Sequence, residues 1–220
     1  MSSEGDRSPL HVLWGASGHG KVVLDIARAA GKFRAISFID DACRDSGREF
    51  CDCQVFAAGR YLELLEDDGS SQYLVSIGKN EIRAACFQRA LEHGLLPATL
   101  VHPSAVISES ARLEDGTVVM ARVVINAEAR IGKNCIVNTA AVVEHDCRIG
   151  DHVHLSPGVL LGGGVTVNPF AHVGIGAIAL PGVEIGERAI VGAGAVVLDS
   201  VPSGTTVVGV PARILTRASR

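Results

Sequence analysis

Eight histidines stand in this chain of 220 residues: His11, His19, His93, His102, His145, His152, His154 and His172. Histidine ordinarily titrates near pH 6.5, which suits it to take up and return a proton at neutral pH. One of the eight has a carboxylate on each side, in Glu144-His145-Asp146. A neighbouring carboxylate orients an imidazole and favours its protonated form, as a general base requires. His154 and His172 are eighteen residues apart. Six cysteines (Cys43, Cys51, Cys53, Cys86, Cys135, Cys147) include no Cys-x-x-Cys pair, which argues against a zinc ribbon or a thioredoxin-type centre. In a reducing compartment they read as free, mostly buried thiols. Cys147 invites a check as a nucleophile, because it lies two residues from His145.

A second group with chemical potential lies near the amino terminus. Gly15-Ala16-Ser17-Gly18-His19-Gly20 follows the apolar run His11-Val12-Leu13-Trp14 and precedes the helical pattern Lys21–Ala30. A glycine loop at a helix start aims backbone N–H groups at an anion. A phosphate-binding loop of the GxxxxGK[ST] type is matched from Gly15 to Lys21, but Val22 replaces the hydroxyl that would hold Mg²⁺. The dinucleotide fingerprint GxGxxG is not matched by glycines 15, 18 and 20, although Asp40 follows about where a ribose-binding carboxylate would. A nucleotide-sugar pocket, with Gly15–Gly18 at the phosphates and Asp40 and Asp41 near base or ribose, competes with these and with a plain strand–helix turn.

The elements that position these groups follow from periodicity. From Val101 to Val197 every sixth residue is aliphatic, sixteen of seventeen being Val, Ile or Leu and the exception Ala179. A second series four residues further on, from Ala105 to Val201, is uniformly small or β-branched. Neither a 3.6-residue helix nor a period-2 strand gives this rhythm. Each hexad reads as a short strand and a turn with two side chains inward, and three hexads close one coil of a three-sided prism. Glycine or asparagine often follows the aliphatic residue (Asn126, Gly132, Asn138, Gly150, Gly162), which reads as the positive-φ corner. His145 then falls at a corner and outward, and His154 and His172 stack outward one strand spacing apart, about 4.8 Å. Cys147 falls in the inward series.

Upstream, a βαβ alternation implies a small parallel sheet with helices. Strands are expected at 11–14, 35–39 and 73–77, and helices at 21–30, 61–65 and 81–93. The chain thus divides into 1–97, one mononucleotide-binding half, and 98–220, the prism with its tail. The composition fits a globular protein, 47% hydrophobic with mean hydropathy +0.29. The formal charge of −4 argues against a nucleic-acid binder. No apolar run approaches the ~18 residues that span a bilayer, and the polar start is no signal peptide, so a cytoplasmic protein is expected.

The hexad run resembles the hexapeptide-repeat acyltransferases, whose fold is a left-handed parallel β-helix. Gly15-Ala-Ser-Gly-His-Gly-Lys-Val-Val, Asp40-Asp41, Ser76-Ile-Gly-Lys-Asn-Glu-Ile-Arg83, Val143-Glu-His-Asp-Cys-Arg-Ile-Gly150 with His152-Val-His154, and the ending Val208-Gly-Val-Pro-Ala-Arg213 together resemble one subgroup. That subgroup is the sialic-acid O-acetyltransferase-like proteins, which include N-acetyltransferases of nucleotide-linked 4-amino-4,6-dideoxy sugars. The resemblance implies an α/β Rossmann-like domain followed by an all-β prism, acetyl-CoA as co-substrate, no metal, and a homotrimer with active sites between subunits. It implies His145 as general base with Asp146 as its partner, and a backbone N–H at Gly163 for the oxyanion. His154, Gly163, Ile175 and Ala193 would meet the cofactor. Gly15, Ala16, Ser17, Gly18, His19, Asp40, Asp41, Gly78 and Lys79, with Ser76, would shape the nucleotide-sugar pocket. O-acetylation of a sugar such as sialic acid, and a non-catalytic sugar-nucleotide scaffold, are the other readings. A zinc carbonic anhydrase on the same fold would carry a His-x₄-His pair, which is absent.

Overall fold

The computed structural model describes residues 10–31, 36–44, 47–64 and 71–216. The chain divides into two compact units, Met1–Pro103 and Ser104–Arg220, so the division expected at 97/98 lies within the first. Among the described residues no helix is long and apolar enough to cross a membrane.

The first unit runs β1 (Leu10–Trp14), α1 (Gly18–Ala30), β2 (Ser37–Asp40), β3 (Arg48–Phe50), β4 (Cys53–Ala57), α2 (Ala58–Leu64), β5 (Gln72–Val75), α3 (Asn80–Glu92) and β6 (Leu96–Pro97). Its sheet has the order β3-β4-β2-β1-β5-β6, parallel except for the β3–β4 hairpin. Trp14, Ile39, Tyr73, Val75 and Phe87 fill one side of it. After β1 the chain moves outward to β2 and β4, then returns to the other side of β1 with β5. That reversal leaves a crevice beyond the carboxyl ends of β1 and β5, where open α/β sheets take their ligands. The second strand begins at Ser37, and residue 35 lies outside the described residues. The helix expected at 61–65 is α2, starting three residues earlier, and residue 65 is likewise outside them. The β3–β4 hairpin was not foreseen. It turns on Cys51 and Asp52, both at positive φ (52° and 61°), without the Asn-Gly pair that usually marks such a two-residue turn.

The second unit is the prism. Strands of two residues recur every six positions and pair in parallel with those eighteen residues on. The aliphatic series from Val119 to Val197 and the small series from Val123 to Val201 are buried throughout. The outward residue before each aliphatic gives each face its character. One carries Val106, Val124, Val142, Leu160, Ile178 and Val196, the aliphatic face. The next carries Arg112, Arg130, Arg148, Thr166 and Glu184. The third, the histidine face, carries Ile136, His154, His172 and Ile190. An antiparallel pair of Thr206–Val208 with Arg213–Ile214 closes the last coil.

The corners correct the sequence reading. Positive φ falls three residues after each aliphatic from Leu113 to Val191, not one: at Arg122, Glu128, Asn134, Ala140, Asp146, His152, Phe170 and Arg188, and at Gly116, Gly158, Gly164, Gly176, Gly182 and Gly194. The glycines immediately after the aliphatics serve a different need. A Cβ on Gly150 would lie 2.7 Å from Pro169 N, and one on Gly162 2.7 Å from Pro181 N. The chain there passes directly beneath the next coil, so the side chain is excluded by contact and not by torsion.

Candidate active site

His145 follows the strand Val142–Val143, at the corner between the aliphatic and arginine faces. Its backbone is fixed from the next coil, Gly164 N–H donating to His145 O at 2.8 Å. Asp146 takes the left-handed conformation (φ 60°), which Asp tolerates better than most residues, and its N–H donates to Ala127 O. This bend brings Asp146 Oδ2 to 2.8 Å from His145 Nδ1. A carboxylate only accepts, so Nδ1 carries the proton and Nε2 presents its lone pair. The Asp146 hydrogen bond holds the His145 pKa above the usual imidazole value, with smaller help from the Asp146 and Glu144 charges. Glu144 is itself held by Asn126, whose Nδ2 donates to its Oε2 at 2.9 Å.

Gly163 lies one coil beyond, against the ring. A Cβ built on it would stand 2.6 Å from both Nε2 and Cε1 of His145. Gly162 N–H donates to Ala179 O and Gly164 N–H to His145 O, whereas Gly163 N–H donates to no group among the described residues. The residue packed against His145 Nε2 thus has an uncommitted backbone donor, and acyl transfer calls for a proton acceptor and an oxyanion donor together.

Cys147 is not part of this arrangement. It is fully buried, its Sγ–H donates to Gly162 O at 3.2 Å, and burial pushes its thiol up in pKa. A thiol kept protonated inside the prism is no nucleophile. All six cysteines are free, five of them buried.

His154 and His172 stack as expected, ring centroids 4.8 Å apart and planes at 26°. Both stand on the outer side of their strands, but His154 is 8% exposed and not openly presented. Asn138 Nδ2 lies 3.3 Å from His154 Nε2, and Ser156 Oγ 2.9 Å from His172 Nε2. Sequence reading took Asn138 for a corner residue and not for a neighbour of His154. Ile175 and Ala193 lie on successive coils at the corner between the histidine and aliphatic faces, and both are exposed. Within one chain, therefore, His145, Asp146 and Gly163 lie at one edge of the aliphatic face, and Ile175 and Ala193 lie at the other, where the histidine face ends. Among the described residues no three His, Cys, Asp or Glu side chains converge to hold a metal ion.

Replacing Asp146 by asparagine removes the chief cause of the raised His145 pKa. As the general base that the resemblance implies, His145 would work only when unprotonated, so the rate is expected to rise with pH through that pKa. The midpoint of the pH–kcat/KM profile is expected to fall toward the ordinary imidazole value in Asp146→Asn, with a lower plateau because the ring loses its tether. An unchanged midpoint would detach Asp146 from the base.

In the first unit the sequence-predicted pocket residues gather at the carboxyl ends of β1, β2 and β5. Gly15 (φ 117°) donates to Ile39 O, and a Cβ on it would meet Ile77 Cγ1 at 2.7 Å. Gly20 is needed for close helix–strand packing, since its Cβ would overlap Gly15 O. Gly18 meets nothing within 4 Å, so the fold does not require its lack of a side chain. Ser17 and Gly18 are exposed at the start of α1. Asp40 accepts N–H groups from Ala16 at 2.9 Å and Ala42 at 2.8 Å, and so braces the glycine loop. Asp41 accepts from the Trp14 indole at 3.1 Å and pairs with Arg89 at 2.9 Å. Ser76 is buried and donates from Oγ to the carbonyls of Trp14 and Gly15. Burial, with the Arg83 charge second, pushes His19 down to about 4, so its ring is neutral at neutral pH.

Comparison with known proteins agrees with both halves. Residues 12–90 match the PglD N-terminal domain, and residues 128–163 match the bacterial transferase hexapeptide (six repeats). A perosamine N-acetyltransferase from Caulobacter crescentus, solved as a histidine-to-asparagine mutant in complex with CoA and GDP-perosamine, is 41% identical. The match covers 94% of this chain and 97% of that one, with a TM-score of 0.88. The acetyltransferase domain of PglB from Neisseria gonorrhoeae FA1090, in complex with acetyl coenzyme A, is 37% identical over 96% of this chain and 100% of that one, also with a TM-score of 0.88. A UDP-N-acetylbacillosamine N-acetyltransferase from Bacillus subtilis (strain 168) is 41% identical over 112 residues, and the match spans about half the length of each protein, 49%. A glycine-loop α/β unit of one kind and a hexad prism of another, in this order and over nearly the whole length, place the chain in the hexapeptide-repeat acetyltransferases that carry a PglD-type amino-terminal domain.

Proposed function

We propose that this protein transfers an acetyl group from acetyl-CoA to the amino group of a nucleotide-linked amino sugar, in the cytoplasm. The observation that carries the reading is the His145–Asp146 pair with the uncommitted Gly163 N–H against its ring. The sugar amine attacks the thioester carbonyl directly, and His145 Nε2 takes the proton that the nitrogen gives up. Gly163 N–H meets the oxyanion. Collapse breaks the C–S bond, and the CoA thiolate leaves and regains a proton from His145. The relatives named with CoA, acetyl coenzyme A and GDP-perosamine support this choice of substrates. The crevice between β1 and β5, rimmed by Ser17, Gly18, Gly78 and Lys79, would take the nucleotide. Steady-state assay of acetyl-CoA with a panel of nucleotide-linked amino sugars tests it, with free CoA thiol as the readout. Turnover with sialic acid and with none of the panel would establish O-acetylation instead, and no thiol release at all would leave a scaffold.

The working unit proposed is a homotrimer. His145 and Gly163 stand at one edge of the aliphatic face and Ile175 and Ala193, assigned to the cofactor, at the other, so one site needs groups from two copies. That face is unusually apolar for open surface, with Val106 65%, Leu160 43% and Ile178 36% exposed. Leu160→Asp is expected to reduce the sedimenting mass from three chains toward one and to abolish turnover together. A monomer with full activity would overturn the shared site.

A further inference from the structure

Among the described residues Arg83 is the only Arg, Lys, Asp or Glu that is buried, at 1% exposure. It sits in the first turn of α3, where the helix dipole disfavours a cation. Burial of a guanidinium is costly, and an apolar side chain would fill the space more cheaply. Its hydrogen bonds show what it does instead. Nη1 donates to Ile77 O and Gly78 O, each at 3.2 Å, and Nη2 donates to Asn80 Oδ1 at 2.9 Å. The fork thereby grips the turn that joins β5 to α3 and carries Gly78 and Lys79. The same turn abuts the glycine loop. Ile77 Cγ1 lies 2.7 Å from where a Gly15 Cβ would be, and Ser76 Oγ donates to Gly15 O at 2.9 Å. From the other wall of the crevice, His19 feels the Arg83 charge.

We propose that Arg83 is a positioning residue for the diphosphate of the substrate. By clamping residues 77–80 against the glycine loop, it holds Gly78, Lys79 and the loop N–H groups ready for the anion. This rests on the sugar-nucleotide reading of that crevice. Preorganisation of this kind acts on binding of one substrate and leaves the acetyl-transfer step itself alone. Lysine retains the charge but not the planar fork, so it can restore only part of the grip.

The test compares the full-length protein with Arg83→Met and Arg83→Lys, using calorimetric binding of GDP and UDP and steady-state kinetics with melting curves alongside. Arg83→Met is expected to weaken nucleoside diphosphate binding about tenfold or more and to raise KM for the sugar nucleotide by a similar factor. Arg83→Lys falls between it and the parent. KM for acetyl-CoA and kcat stay within about twofold. Should Arg83→Met fail to fold, Arg83→Lys alone is read, with about threefold weaker binding expected. A folded variant that binds like the parent overturns the inference, as does a KM for acetyl-CoA that rises in step. A parent protein that binds neither nucleoside diphosphate overturns the sugar-nucleotide reading itself, and the inference with it.

Discussion

Replacing His145 by asparagine is expected to lower kcat by about 10²–10⁴-fold while the binding of both substrates is retained. Asparagine keeps a polar group of similar reach at the corner but offers no lone pair basic enough to accept the amine proton. The loss belongs in kcat, since the proton moves only on the way to the tetrahedral intermediate and no ground-state contact is removed. The fold should not notice. His145 and Asp146 have side chains 64% and 65% exposed, and the coil–coil bonds at this corner are made by the backbone. Kinetics and a melting curve on one preparation check both halves. A kcat within tenfold of the parent would remove His145 from the mechanism.

Gly163→Ala is the second large effect. The added methyl would stand 2.6 Å from two atoms of the His145 ring, well inside van der Waals contact. The obstructing atoms end an exposed side chain, so the ring swings aside at little cost in stability. Swinging aside, however, breaks the 2.8 Å tether to Asp146 or moves Nε2 off its line to the reacting nitrogen. A misplacement of about 1 Å at a reacting centre costs on the order of 10²-fold in rate. The variant should therefore melt like the parent and lose about 10²-fold in kcat. If the rate is unchanged, the ring does not work from the position seen here. The two variants also separate two roles. His145→Asn removes the base and leaves the Gly163 N–H in place, whereas Gly163→Ala keeps both groups and spoils their alignment.

Much of this architecture is legible in the residues. The prism follows from hexads because each one repeats the same local geometry, so Val143 inward, Cys147 inward and His145 outward need no knowledge of distant contacts. The stacking of His154 on His172 follows likewise from the length of one coil. What the residues hide is why a small residue is small. Gly150 and Gly162 read as corner torsions, yet the corners lie two residues later, and the glycines answer to prolines nineteen residues downstream. In the first unit, Asp40 reads as a ribose ligand, and the fold shows one of its oxygens accepting from Ala16 of the glycine loop and the other from Ala42 in the turn after β2. The β3–β4 hairpin escaped notice because Cys51 and Asp52 are unusual residues for its turn.

Sequence alone determined the two-part order, the three-sided coil and the presence of a histidine with a carboxylate on each side, because each is encoded in neighbours or in a strict period. Tertiary structure decided that Gly163 lies over the His145 ring, that an aliphatic face separates this pair from Ile175 and Ala193, and that Arg83 is buried beneath the turn carrying Lys79. Each of these depends on which residue of another coil or strand end comes to lie opposite. That is set by packing across the fold, and no local pattern of residue types records it.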